Sequence, residues 1–282
     1  MPKRLLRHLA LPVAALGLAA GAAGALAQGG GTAPGPLPPG QPPLNGLNPC
    51  ANAIQAPRLR CPDLVMYRPY DLYYVRGGSR IRLRAGNTIV NRGTGPMELF
   101  GRRTGPRSMS VNQRIHRVGG GIREIRTLGH LFFKPIPGQG AYWKFRNAAR
   151  FELWSTDAAG RPVSRVRIGA KLIYCLRDLN KRFSNRFSPR GPHFPGCGQD
   201  PRARTSTLGT SVGWSDDYPS PYPEQYIDVT GLRGRFAFFM VVDPLNQLFE
   251  SNETNNRSPI VYLNLPPRGR LPRDRDPGES YP

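Results

Sequence analysis

The chain has 282 residues, with 40 Lys and Arg against 18 Asp and Glu, a formal charge of +22, 33 glycines, 31 prolines and 4 cysteines. That balance predicts attraction to anionic surfaces, yet no stretch reads as a helix-turn-helix or RNA-binding signature, so sequence-specific nucleic-acid recognition is not expected. Past the amino-terminal leader no segment is apolar enough to cross a bilayer as a helix, and without a Cys-x-x-Cys pair a cysteine-based metal site is not expected either.

Residues 1–27 read as a secretory signal peptide. A basic start (Lys3, Arg4, Arg7) precedes an Ala/Leu/Val/Gly run, and Ala25-Leu26-Ala27 fits small-x-small cleavage before Gln28. Pro12 and small residues interrupt the run, which favours cleavage over a retained span; cleavage lowers the formal charge from +22 to +19. The expectation is an exported protein, secreted or at the cell surface. Residues 28–48 form a Pro/Gly-rich linker that cannot bury a core, and residues 267–282 a polar, disordered tail. The span between them, residues 49–266, is of a size that suits one all-β domain.

Helical periodicity is weak throughout, with one short candidate at residues 178–183. Strand-like runs recur instead between Gly and Pro punctuation, at residues 81–83, 88–90, 97–100, 130–133, 150–153 and 170–176. The clearest lies near the end, where residues 236–242 are an unbroken apolar run rich in β-branched and aromatic side chains, short enough for a buried strand. Asp243-Pro244-Leu245-Asn246 supplies turn chemistry, since Pro presets φ and Asp and Asn bond their own backbone. A returning strand is expected from 247 to 250, a polar loop over 251–256 and a last strand over 258–265. Regular short strands predict a β-sandwich-like fold with long loops. An immunoglobulin-like adhesion module closes with similar residues and stays open as an alternative.

Four cysteines permit three pairings, and an exported chain allows disulfides. Cys50 with Cys61 closes a short loop at the domain entrance, and Cys175 with Cys197 staples the basic, core-poor loop at residues 177–195. That pairing is favoured over the crossed alternatives, which remain open at this point.

A succession of blocks then carries a resemblance. These are Cys61-Pro-Asp-Leu-Val65, Asn91-Arg-Gly-Thr-Gly-Pro-Met-Glu-Leu99, Gln113-Arg-Ile115 and Ala149-Arg-Phe-Glu-Leu-Trp154, followed by Gly169-Ala-Lys-Leu-Ile-Tyr-Cys-Leu176 and Gly213-Trp-Ser-Asp-Asp-Tyr218. Ile227-Asp-Val-Thr-Gly-Leu232, Val242-Asp-Pro and Glu250-Ser-Asn-Glu-Thr-Asn-Asn256 complete the order. The series resembles the bacterial branch of the lysyl oxidase family over residues 61–265; no block is specific alone, but their order is. The resemblance implies a secreted copper amine oxidase that deaminates primary amines such as peptidyl lysine, on a β-sandwich-like fold. It further implies a His-x-His-x-His copper segment, and a lysine that crosslinks to an oxidised tyrosine to give lysine tyrosylquinone. Lys171 and Tyr218 match the two quinone parents. Read without the resemblance, Lys171 is a solvated strand residue and Tyr218 a half-buried loop aromatic.

The copper segment departs from the family pattern. Aligned on Ala149-Arg-Phe-Glu-Leu153, the three histidine positions are Gly140, Tyr142 and Lys144, while Trp143 and Phe145 persist. Their i, i+2, i+4 spacing puts them on one strand face, as a metal site requires. Gly offers no ligand, the tyrosine phenol holds its proton near pH 10, and a lysine ammonium repels a cation. His116, His130 and His193 are scattered: the first is expected to cap a strand, the second to end one, the third to lie in a Pro-rich loop. Copper favours imidazole ligands converging in tetragonal geometry.

The expectation is a catalytically degenerate lysyl-oxidase-like protein acting as an extracellular binding or structural module, with no cofactor. Copper and lysine tyrosylquinone, with protein lysines as substrates, apply only if an active site survives on a rearranged metal centre, which is the alternative. Arg-rich clusters at Arg58/Arg60, Arg80/Arg82/Arg84, Arg102/Arg103/Arg107 and Lys181/Arg182/Arg186/Arg190 point to non-specific anionic partners: acidic wall polymers, phospholipid headgroups or extracellular DNA. An Arg-rich codon bias spread over a solvated surface accounts for the same charge.

Overall fold

The structure, a computed structural model, describes residues 48–274. The expected signal peptide, nearly all of the linker, and residues 275–282 of the expected tail lie outside the described residues. After a 3₁₀ turn at Ala56–Arg58 come β1 (Leu59–Arg60), β2 (Leu64–Met66), β3 (Tyr70–Gly77), β4 (Arg80–Asn91), β5 (Met97–Gly105) and β6 (Ser108–Arg117). The middle of the chain forms β7 (Ile122–Ile136), β8 (Gly140–Arg146), β9 (Ala149–Thr156), β10 (Pro162–Ile168), β11 (Ile173–Tyr174) and β12 (Asn180–Lys181). The last strands are β13 (Thr205–Thr210), β14 (Trp214–Tyr218), β15 (Tyr226–Asp228), β16 (Gly234–Val242) and β17 (Val261–Leu265).

These pair into three antiparallel sheets, and the all-β expectation holds. One sheet has the order β11-β8-β7-β6-β5-β13, with β1 added to β6; a second runs β10-β9-β16-β17. In the third, β4 pairs with β3 and β15 over its first half and with β2 and β14 over its second. One core draws on all three sheets, including Leu64 and Ile89, Leu131 and Phe145, and Phe151, Phe238 and Met240. Each such side chain contributes roughly 1.5–3 kcal/mol by leaving water.

The apolar run expected at 236–242 is β16, which lies between β9 and β17. It is apolar on both faces because both are covered. Phe238 stacks on Phe151 in the main core at 5.3 Å, and Phe239 stacks on Trp154 in a second cluster at 6.0 Å. The turn at Asp243 also forms, the Asn246 N–H donating to the Asp243 carbonyl at 3.0 Å.

Several expectations are corrected. Residues 81–83 and 88–90 belong to one strand, β4. Gly86 does not end it; the glycine makes room for Tyr70, whose ring lies 2.6 Å from where a Cβ would stand. Residues 247–250 make no returning strand, because side chains take the amides a ladder would use. The Asp243 carboxylate accepts from the Gln247 and Leu248 N–H groups, and Gln113 accepts from that of Phe249. The final strand is shorter than expected, and residues 178–183 are not helical: the Leu179 N–H donates to the Ser215 carbonyl as β12 joins β14. Of residues 170–176 only Ile173–Tyr174 is strand. The expected tail packs as far as it is described: Asp274 forms an ion pair with Arg82 at 2.8 Å. Both favoured disulfides, Cys50–Cys61 and Cys175–Cys197, are formed.

Candidate functional site

Lys171 sits in the bend between β10 and β11, and the backbone around it is pinned to three elements. The Gly169 N–H donates to the Phe151 carbonyl at 2.9 Å, the Ala170 N–H to that of Tyr226 at 3.0 Å, and the Asn147 N–H to that of Leu172 at 2.6 Å. Gly169 is required there, since a Cβ would come within 2.8 Å of that of Phe151. The lysine is therefore driven inward and is fully buried, not solvated.

Its amine lies among three tyrosines, with Nζ 4.4 Å from the ring centroid of Tyr218, 4.4 Å from that of Tyr222 and 4.9 Å from that of Tyr174. Both flanking rings meet Tyr218 edge-on at 5.0 Å. Tyr218 ends β14 and is buried at 4 % exposure, not half-buried. Its hydroxyl accepts from the Cys175 N–H at 2.9 Å and donates to the Cys175 carbonyl at 3.1 Å, so the Cys175–Cys197 loop fixes the ring. The two residues matched to the quinone parents are thus brought together.

Lys144 joins them from β8. It is 1 % exposed, donates to the Tyr222 hydroxyl at 3.3 Å, and lies 5.9 Å from the Tyr218 ring centroid. Asp216, two residues before Tyr218 on the same face of β14, is fully buried as well. Among the described residues, neither its carboxyl oxygens nor the Lys171 amine nor the Tyr174 hydroxyl finds a hydrogen-bond partner.

Burial sets the charge states. Desolvation holds the Lys144 amine down at about 8; Asp216 opposes the shift and Lys134 adds to it. Lys171 is lowered well below the ordinary lysine value by burial and then by Lys144, against the pull of Glu224 and Asp216. Burial also raises Asp216 well above the carboxylate range, against the pull of Arg177, Lys144 and Lys171. Burial thus pushes the Lys171 and Lys144 amines and the Asp216 carboxyl toward their neutral forms. Lys134 lies near and is neutralised by Glu224 at 2.6 Å.

The three positions matched to copper ligands follow β8 from solvent into this centre. Gly140 is exposed with φ +100°, Tyr142 is half-buried with its hydroxyl donating to the Gln139 carbonyl, and Lys144 is at the bottom. No copper donor set results, so the residues do not fit the metal. The histidines stay apart: Nε2 of His116 contacts Glu98 at 2.9 Å, His130 is exposed within β7 rather than at a strand end, and His193 is exposed in its loop. Among the described residues, one group of three close acids exists, Asp243, Glu250 and Glu253, with ligand atoms within 4.8 Å of one another. Burial raises Asp243 to about 7 and Glu253 to about 8. An all-oxygen set suits a hard cation rather than copper.

No family model matches this sequence. No curated protein matches it either. The site's reading rests on its geometry and on the resemblance of its motifs. Asp216 was legible from the two-residue period of β14. Tyr222, Glu224 and the burial of Lys144 were not, because the first two lie in an irregular loop and the third depends on contacts between sheets.

Proposed function

We propose that this chain is an exported, non-catalytic binding or structural module on a lysyl-oxidase-like scaffold whose copper centre has degenerated. The observation that carries this is Lys144: at the third ligand position the side chain is a buried amine facing Lys171, with no imidazole to replace it among the described residues. A copper ion there would meet a cation. The inner wall is instead sealed by tyrosines, and Tyr218 serves as a tie between β14 and the Cys175 loop. Two disulfides agree with an oxidising, extracellular setting. The formal charge of +22 supports acidic wall polymers, headgroups or extracellular DNA as partners held without sequence specificity.

A second reading has one observation in its favour. Lys171 lies 4.4 Å from the ring of Tyr218, a juxtaposition suited to the family's crosslink. Intact-mass analysis and redox-cycling quinone staining, after copper loading of the secreted protein, separate the two. The first reading expects uncrosslinked Lys171 and Tyr218 and no stain. A stained peptide containing both residues would establish the second.

A further inference from the structure

Away from the Lys171 centre, the end of the described chain fills a site that the rest of the fold has already built. Arg82 and Arg84 point to one side of β4 and are 1 % and 2 % exposed. The Arg82 guanidinium stacks on Tyr226 at 4.4 Å, and Nη1 of Arg84 donates to the Ser220 carbonyl at 3.0 Å and the Tyr222 carbonyl at 3.3 Å. β4, β15 and the 220–226 loop hold both guanidinia in place without help from the tail.

Into this pair the tail puts one carboxylate. Asp274 meets Nη1 of Arg82 at 2.8 Å, and Nε and Nη2 of Arg84 at 3.0 Å each. Its backbone runs parallel to β3, which is bonded to β4 on its other side. The Arg76 N–H donates to the Pro272 carbonyl at 2.7 Å, and the Asp274 N–H donates to the Arg76 carbonyl at 2.8 Å. Residue 272 is asked only for its carbonyl, so a proline loses nothing there. Arg273 is exposed, and any side chain fits. Tyr73, Val75 and Pro221 line the cleft beside these three residues. Residues 268–270, which lead into it, are exposed.

An edge strand that pairs two backbone groups and a deep pocket that takes one side chain are the two parts of peptide recognition by strand addition. We propose that the β3 edge and the Arg82–Arg84 pair form a receptor for an extended Pro-x-Asp segment of a partner protein, which the chain's own Pro272-Arg273-Asp274 occupies in cis. A tail tethered this closely acts at an effective concentration on the order of millimolar, so a partner engages only where its own affinity or local concentration exceeds that. Specificity lies in the carboxylate, because a double-arginine clamp binds its two oxygens at once and an amide at that position cannot balance the charge.

The test uses a fluorescein-labelled, carboxy-amidated peptide, Arg-Gly-Arg-Leu-Pro-Arg-Asp, followed by anisotropy. The protein is the full chain carrying a protease site in place of residues 268–270, folded and then cut, with the released tail washed out. A chain ending at Leu271 is the second form. Either is expected to bind the peptide at least tenfold more tightly than the uncut full chain does. Asn in place of the peptide's aspartate, or Arg84→Gln in the protein, should weaken binding at least tenfold. An unrelated peptide, Gly-Ser-Gly-Pro-Ala-Asp-Gly, should bind within about fivefold of the tail peptide. Equal binding of the Asp and Asn peptides to cut protein with unchanged near-ultraviolet circular dichroism would overturn the proposal. So would binding of the tail peptide alone, which would make the site a private latch.

Discussion

Replacing Lys144 with methionine should stabilise the protein, which is the reverse of what removing a buried, hydrogen-bonded residue would ordinarily do. A fall of the Lys144 pKa from 10.5 to about 8 corresponds to about 3 kcal/mol of preference for the neutral amine, present whenever the pH keeps the group charged. Methionine fills a similar volume without the charge. The hydrogen bond lost to the Tyr222 hydroxyl offsets about 1 kcal/mol, leaving a net gain of about 2 kcal/mol near neutral pH. The sign follows from linkage. A folded-state pKa below the unfolded one means that stability is present above 10.5 and is lost as the pH falls through about 8. The advantage of Lys144→Met should therefore be full at about pH 7 and nearly gone at about pH 10. Denaturant unfolding of both proteins, with disulfides intact, measures it, and the difference between them cancels the titration of all other groups. A variant less stable than its parent at neutral pH, or an advantage that does not change with pH, would refute the burial of a charged Lys144.

Three further outcomes are expected. Tyr218→Phe should cost about 3 kcal/mol in unfolding free energy, because the buried N–H and carbonyl of Cys175 both lose their partner; a cost below about 1 kcal/mol would mean that the hydroxyl is not the tie. Removing the Cys175–Cys197 bridge by paired serines should lower stability by about 3 kcal/mol through the 22-residue loop it closes, and no loss would show that the loop is ordered without it. Glu253→Gln keeps the oxygen that accepts from the Glu250 N–H and from Asn48, and removes a carboxyl whose pKa is raised to about 8 by burial. The stability this carboxyl gives the fold is complete below 4.5 and is lost as the pH rises through about 8, so the variant should gain on the order of 2 kcal/mol at alkaline pH and nothing in acid. Chemical denaturation in chelator at both pH values reads the difference, and equal effects would contradict it.

Much of the fold was legible in the residues. The apolar run in β16 announced a buried strand, and Asp243-Pro244 announced its turn. What followed was not legible: Asp243 and Gln113 bond amides that a hairpin would have paired, and a side chain reaching across the fold leaves no periodic mark. The split between 81–83 and 88–90 misled in the same way, since a glycine that punctuates and one that makes room for Tyr70 read alike. At the site, Lys171, Tyr218 and the three altered positions of β8 came from the resemblance of the motifs. It gave neither the depth of Lys144 nor the tyrosine ring about Lys171, which arise where β8, the 169–176 segment and the 218–224 loop meet. The tail reads as polar and Pro-rich, and one aspartate nonetheless anchors it, because the two arginines that receive it lie some 190 residues earlier.

The proposal's central claim is that the β8 face holds no copper, and metal content tests it most directly. The secreted protein would be loaded with Cu(II), dialysed against a weak chelator and analysed for copper by mass spectrometry. The proposed reading predicts less than about a tenth of an equivalent, since no imidazole stands at Gly140, Tyr142 or Lys144. Retention of about one equivalent, lost on Lys171→Ala or Asp216→Ala, would contradict it.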